Sequence, residues 1–207
     1  MPLTLLPNRN QCYFQTVHRS FPMIGQTRFL AQAGEEQVGA ELLGLRYAMW
    51  AHAAALSPTY SSMSECFYQQ ARECLERPEL DGSGGSLSIA ALQINVLLAL
   101  YELEKSYFMR AWVSAGRATW LAQMLELHKM DAKDVPGQNP TFPRLGSATN
   151  DAEELEERRK SFWAVYTLNC FLGVSASWNT SSVMDYPEVS SNEATCRQET
   201  FWLSCSL

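Results

Sequence analysis

Residues 92–131 read LQINVLLALYELEKSYFMRAWVSAGRATWLAQMLELHKMD, and this stretch decides the fold class. Leu92, Val96, Leu97, Leu100 and Leu103 recur in steps of three and four, the period of one helical stripe. After a polar break at Glu104-Lys105-Ser106-Tyr107 a second helical row follows, through Trp112, Ala115, Thr119, Ala122 and Leu125 or Glu126. Trp120, Leu121, Met124 and Leu127 widen that row, and Ala111, Ala115, Gly116 and Ala118 place small residues among large ones. Small residues on a helix face permit close approach of a neighbour. The break is too short for anything but a return past the first helix, so the spacing predicts a helical hairpin with an apolar seam.

Outward from this hairpin, the same period recurs. Leu42, Leu45, Met49, His52/Ala53 and Leu56 form a stripe over 36–56, and Ser57-Pro58 ends it because a residue before proline is pushed from the α region. A helix follows over about 62–77, with Met63, Phe67, Gln70/Ala71, Cys74 and Leu75 inward and Ser62 or Ser64 as cap. Pro78 and the run DGSGGS at 81–86 predict a loop, and Ser86 or Ser88 then caps the central hairpin. Residues 129–150 hold three prolines (Pro136, Pro140, Pro143) and two glycines (Gly137, Gly146) and predict a long connection. Asn150-Asp151 opens a last helix whose first turns are acidic, which suits the positive end of the helix dipole. Glu154–Arg158 and Glu156–Lys160 are ordered for surface pairs, and Phe162, Trp163, Tyr166, Leu168, Phe171 and Leu172 turn inward. Residues 1–35, broken by Pro2, Pro7 and Pro22, predict an irregular strap. Phe14, Phe21, Met23, Ile24, Phe29 and Leu30 anchor it, with a short helix at 27–33. Residues 175–207 are rich in Ser, Thr and Asn and weakly patterned. The expectation is an all-α bundle of antiparallel helix hairpins, with an N-terminal segment 1–35, a body 36–174 and a divergent or poorly defined tail 175–207.

Composition limits the function classes. The 207 residues are 46% hydrophobic, with six Trp and nine Phe, enough for one domain with a core. A net charge of −6 argues against direct nucleic-acid binding, where affinity rests on phosphate neutralisation. Cysteines 12, 66, 74, 170, 196 and 205 form no C-x-x-C pair and no zinc-ligand spacing, so they read as reduced, mostly buried thiols of an intracellular protein. No apolar run approaches the roughly 18–20 residues of a membrane span, and no signal peptide is evident. His18, His52 and His128 are scattered, no cysteine has a local base, and no glycine-rich phosphate loop, nucleophile elbow or H-E-x-x-H occurs. His52 on an apolar helix reads as a hydrogen-bonded core histidine, and His128 at a helix end as a cap. Arg46 near Trp50, Arg110 near Trp112 and Arg159 near Phe162-Trp163 offer either a ligand or anion pocket or arginines that stack on rings or pair with helix acids; the second reading is preferred, with Arg110 and Arg117 as exceptions. Arg110 and Arg117, seven apart, share one face of the second hairpin helix.

The order of motifs resembles a known family. Leu45–Trp50 (LRYAMW), Leu92/Gln93/Tyr101/Glu102, Arg110–Trp112 with Gly116–Ala118, Leu127–Asp131 with His128, and Glu156–Trp163 with Glu157, Arg158 and Arg159 stand in the order and spacing of the middle homology region of fungal zinc-binuclear-cluster transcription factors. The likeness spans about residues 21–172. It implies an all-α regulatory domain acting in the nucleus, often pathway-specific as in secondary metabolism. It also implies contacts to protein partners or a full-length relative, and leaves room for a small-molecule effector. The motif positions Arg46, Trp50, Gln93, Tyr101, Glu102, Arg110, Trp112, Gly116, Arg117, His128, Glu157, Arg158, Arg159 and Trp163 carry over as structural, not catalytic. Three departures stand out. The six clustered cysteines of the family's DNA-binding zinc domain are absent, so zinc and DNA contact carry over to no residue here. After Trp163 the family's Asp-Arg-Tyr, Gly-x-Pro and acidic segments are replaced by Asn169-Cys170-Phe171 and 175–182. The family region also continues further than this chain, which fits divergence, a shifted frame or altered splicing. The competing readings are a tetratricopeptide-like scaffold, suggested by the single unit YELEKSYFMRAWVSAGRATWLA, or a non-functional truncated product. An enzyme has no positive support in the residues.

Overall fold

A computed structural model describes residues 6–33, 39–80, 87–130 and 151–175. They form α1 (Leu6–Gln15), α2 (Val17–Ser20), α3 (Gln26–Ala33), α4 (Ala40–Ala55), α5 (Ser64–Leu80), α6 (Ile89–Glu104), α7 (Phe108–Met124) and α8 (Ala152–Ser175). Short 3₁₀ turns occupy Ser61–Met63 and Leu127–Lys129, and no strand occurs among the described residues, so the fold is all-α.

The central helix is α6. It starts where Ser88 caps it, the Oγ accepting the Ala91 N–H at 3.1 Å. A Ser88→Ala variant should lose about 1 kcal/mol, read as a lowered urea midpoint with an unchanged slope. The α6 helix ends in the turn Lys105-Ser106-Tyr107, where Ser106 adopts φ 60°. The Tyr107 N–H reaches back to the Glu102 carbonyl at 2.7 Å, and α7 then returns along α6. Helices α4, α5, α7 and α8 all pack on α6. It is therefore buried on nearly every side, not on one stripe: Gln93, Asn95 and Glu102 are buried along with Leu92, Ile94, Val96, Leu97, Leu98 and Tyr101. One shared core of this kind differs from a tetratricopeptide array, in which each repeat touches only its neighbours.

The N-terminal segment departs from the irregular strap expected. Helices α1 and α2 cover residues 6–20. Pro7 lies in the first turn of α1, where an N–H has no intrahelical partner to lose. Tyr13, Phe14, Phe21, Met23, Ile24 and Phe29 join the core, whereas Leu30 is exposed. Leu56 is exposed too, because α4 stops at Ala55 and the helical step no longer aims residue 56 inward. The α5 helix continues through Pro78 to Leu80, beyond the loop start expected there. On α5 the inner face is Ser64, Phe67, Tyr68 and Ala71, while Gln70 is exposed.

Two expectations for α7 also change. Ala111, Ala115 and Ala118 are buried as expected of a close-packed face, but Gly116 is exposed and a Cβ there would meet nothing within 4 Å. Trp120 points to solvent and does not widen the seam. At α8, the Asp151 carboxylate accepts the Glu153 N–H at 3.0 Å, and Arg158 donates to Glu154 at 2.6 Å. Lys160 lies 3.5 Å from Glu156, as its spacing predicts. Of the expected connection 129–150, Lys129 closes a 3₁₀ turn and residues 131–150 lie outside the described residues, as do the loop 81–86 and residues 176–207 of the expected tail 175–207.

Candidate functional site

Four of the motif positions, Tyr101, Glu102, Gln93 and Glu157, lie in two polar nodes, and the others are distributed around them. The first node is built on Glu102, which is wholly buried on α6. Its Oε1 accepts the Tyr68 hydroxyl at 2.7 Å and Arg72 Nη1 at 2.9 Å, and its Oε2 accepts the Ser114 hydroxyl at 2.8 Å. Tyr68 and Arg72 stand one turn apart on α5, so one face of that helix presents both donors. Ser114 lies on α7, across the turn from Glu102. Three helices thus converge on one carboxylate, and a buried charge is tolerable only when paired and hydrogen-bonded in this way. Burial first, and then the bond to Glu102, pushes the Tyr68 hydroxyl up to about 12, so it remains a donor at any physiological pH. Tyr101 stacks on Tyr68 with ring centroids 5.0 Å apart and donates to Ser64 Oγ at 3.2 Å. Outside the node, the Arg110 guanidinium lies over Tyr107 at 5.4 Å, and its contact with the Tyr68 hydroxyl raises its own pKa further.

The second node is built on Gln93. Its Nε2 lies 2.9 Å from the Met23 carbonyl, 2.9 Å from Glu157 Oε1 and 3.1 Å from Ser161 Oγ. Ser161 in turn donates to the Glu157 carbonyl at 2.8 Å. Arg28 of α3 approaches Glu154 and Glu157 at 3.4 and 3.5 Å. One amide therefore ties the N-terminal segment, α6 and α8 together.

The remaining positions are distributed around these nodes. Arg46 lies over the Trp50 ring at 5.1 Å, and Trp50 Nε1 donates to Asn10 Oδ1 at 2.7 Å, joining α4 to α1. Arg159 donates to Glu156 at 2.9 Å. Trp163 makes edge contacts with Phe162 and Tyr166 at 5.6 and 5.5 Å. Trp112 and Arg117 are half-buried on α7, and His128 sits half-buried in the 3₁₀ turn after it. Asn10, Tyr68, Arg72, Ser114 and Ser161 complete these contacts but were not singled out from sequence. The available signal was Tyr68-x-x-x-Arg72 on one helix together with an acid, Glu102, on a helix that is otherwise apolar.

His52 settles as a core residue. It is buried, and its Nε2 lies 2.8 Å from the Leu97 carbonyl. A carbonyl can only accept, so Nε2 carries the proton. Nδ1 faces the Glu104 carboxylate at 3.5 Å. Among the described residues no three His, Cys, Asp or Glu side chains are placed to hold a metal ion, and no helix is long and apolar enough to cross a membrane. The four described cysteines are free. Cys66 is exposed, against the expectation of mostly buried thiols, because it falls on the outer side of α5, while Cys12, Cys74 and Cys170 are half-buried.

Residues 11–188 match the model of the fungal specific transcription factor domain. A pigment biosynthesis transcriptional activator of Monascus ruber is 33% identical over 171 residues, 82% of this chain and 30% of that protein. A citrinin biosynthesis transcriptional activator of Monascus purpureus is 34% identical over 170 residues, 82% of this chain and 28% of its own length. A transcription factor of Aspergillus terreus is 31% identical over 176 residues, 84% of this chain and 26% of its own. No solved structure matches the chain significantly. The chain belongs to the fungal specific transcription factor domain family. It spans about a third or less of the length of these relatives.

Proposed function

We propose that this chain is a regulatory module for transcription that acts in the nucleus through protein contacts and makes no DNA contact of its own. The observation that carries the reading is the domain match across 11–188, in a chain whose motif residues Glu102, Gln93 and Trp50 are bonded to other helices. Relatives named as activators of pigment and citrinin biosynthesis point to pathway-specific control of secondary metabolism as the setting. In this reading Glu102, Gln93, Trp50 and the α8 arginines are framework: each spends its polar groups on another helix or on its own. The regulatory unit comprises 36–174 together with the N-terminal helices that share its core. A catalytic role is no part of this reading, which follows from the match to a transcription factor domain. Its partner is a protein, either a coregulator or a full-length relative that supplies the DNA-binding domain.

A gel-shift titration of the purified chain at physiological salt tests the DNA part of this reading. No sequence-specific complex should form. Binding in the range of about 10⁻⁸–10⁻¹¹ M typical of specific DNA-binding proteins would overturn it.

A further inference from the structure

The α7 helix turns an apolar line toward solvent. Ala111, Ala115, Ala118 and Ala122 lie on its buried side, and α7 packs on α6 and α8. On the opposite side Met109, Val113 and Trp120 are 80%, 51% and 53% exposed, and Gly116 is exposed between them with open space beside it. Their spacing of four, three and four is that of a heptad seam, about 16 Å long. The outer face of a helix in a folded body ordinarily carries charged and polar side chains, and an apolar line there marks a contact surface.

Charge decides what fits it. Arg110 and Arg117 each stand one residue after a seam position, on the same edge, and α7 contains no Asp or Glu. The acids nearest in sequence are engaged elsewhere: Glu104 faces His52 at 3.5 Å, and Glu126 accepts Lys129 at 3.4 Å. The chain as a whole carries −6, so this edge is positive against the trend. Residues that flank a seam set which helix pairs with it. We propose that this face of α7 binds an acidic amphipathic helix of a partner protein. Apolar side chains of that helix lie along Met109, Val113 and Trp120, its backbone comes close over Gly116, and its carboxylates face Arg110 and Arg117. The inference rests on the reading of the chain as a module that acts through protein contacts, and it names the chemistry of the contact. A second copy of α7 supplies two more arginines and no carboxylate, so it lacks the matching charge.

The test uses the full chain and two synthetic helical peptides as probes. Both peptides carry Leu at the seam positions of a heptad; the flanking positions are Glu in one and Lys in the other. In fluorescence anisotropy the Glu peptide should bind about tenfold more tightly than the Lys peptide, and added salt should narrow the difference. Met109→Asp/Trp120→Asp should weaken binding of the Glu peptide about tenfold or more. Met109→Asp alone, at the most exposed of these residues, should act in the same direction. Arg110→Gln/Arg117→Gln should bring the two peptides to within about twofold of each other. No binding of the Glu peptide, equal affinity for both peptides, or unchanged binding in the Met109→Asp variants would overturn the proposal. So would a chain of doubled mass that Met109→Asp/Trp120→Asp returns to a monomer, which would assign the face to a second copy. The site and the module fail separately when the chain is fused to a heterologous DNA-binding module on a reporter. Output untouched by Met109→Asp/Trp120→Asp overturns the site alone, whereas a parent fusion without effect removes the module on which the site rests.

Discussion

Glu102→Ala should destabilise the chain by about 3–5 kcal/mol in urea unfolding, the largest loss expected of any single truncation at a motif position. The reason lies in what remains after the carboxylate is gone. Arg72, the Tyr68 hydroxyl and the Ser114 hydroxyl all donate to it from α5 and α7. Removing it leaves three donors facing a buried space, one of them on a cation. Glu102→Gln should cost less, since its amide oxygen can still accept. A variant that removes the whole cluster together, Glu102→Leu with Arg72→Leu, Tyr68→Phe and Ser114→Ala, should recover most of the stability, because none of the three donors is then stranded. A loss below about 1 kcal/mol for Glu102→Ala would mean that the carboxylate is not holding these helices together.

The second large effect is expected at Gly44 of α4. A Cβ placed there would lie 2.9 Å from Cys74 Cβ on α5 and 3.1 Å from Ile94 Cδ1 on α6. The Cys74 Cβ is fixed by its backbone, so the helix itself must shift. Alanine ordinarily gains about 1 kcal/mol over glycine within a helix. Here overpacking of about 1–3 kcal/mol opposes that gain, and Gly44→Ala should be net destabilising. Gly44→Leu should prevent folding altogether. Adding Ile94→Val, which removes the Cδ1 atom, should restore part of the loss in Gly44→Ala. Gly116 supplies the contrast within the same protein. A Cβ there meets nothing, so Gly116→Ala should raise stability by about 0.5–1 kcal/mol. Equal responses at Gly44 and Gly116 would show that the α4–α5–α6 approach is looser than described.

These two sites also show how far the fold can be read without coordinates. The α6–α7 hairpin, the Ser88 cap, the Asp151 start of α8 and its Glu154–Arg158 pair follow from local spacing, and local spacing is what sequence carries. The family resemblance rested on the same order of motifs. What spacing could not reveal was which helix is surrounded. Gln93 and Glu102 interrupt the apolar pattern of α6 and suggest a solvated side, yet they are buried and bonded to Met23 and Arg72, 70 and 30 residues away in the chain. Gly44 gave no local signal, because the Cβ it must avoid belongs to Cys74 on another helix. Trp120 and Leu30 failed in the opposite sense, as apolar residues that fit a helical stripe but face solvent. The prolines near the N-terminus hid α1, since Pro7 sits where a helix accepts it. The bonds that Glu102 and Trp50 make to Tyr68, Arg72, Ser114 and Asn10 on other helices were not legible either.

The central claim is that this folded helical body influences transcription only when something else brings it to DNA. A reporter assay tests it most directly. The full chain is expressed either fused to a heterologous DNA-binding module or alone, on a promoter carrying that module's site. Fusion should change reporter output relative to the module by itself, the unfused chain should leave output unchanged, and Glu102→Ala should abolish the effect of the fusion by unfolding the body. A folded fusion with no effect on output, or an unfused chain that occupies the promoter and alters it, would contradict the claim.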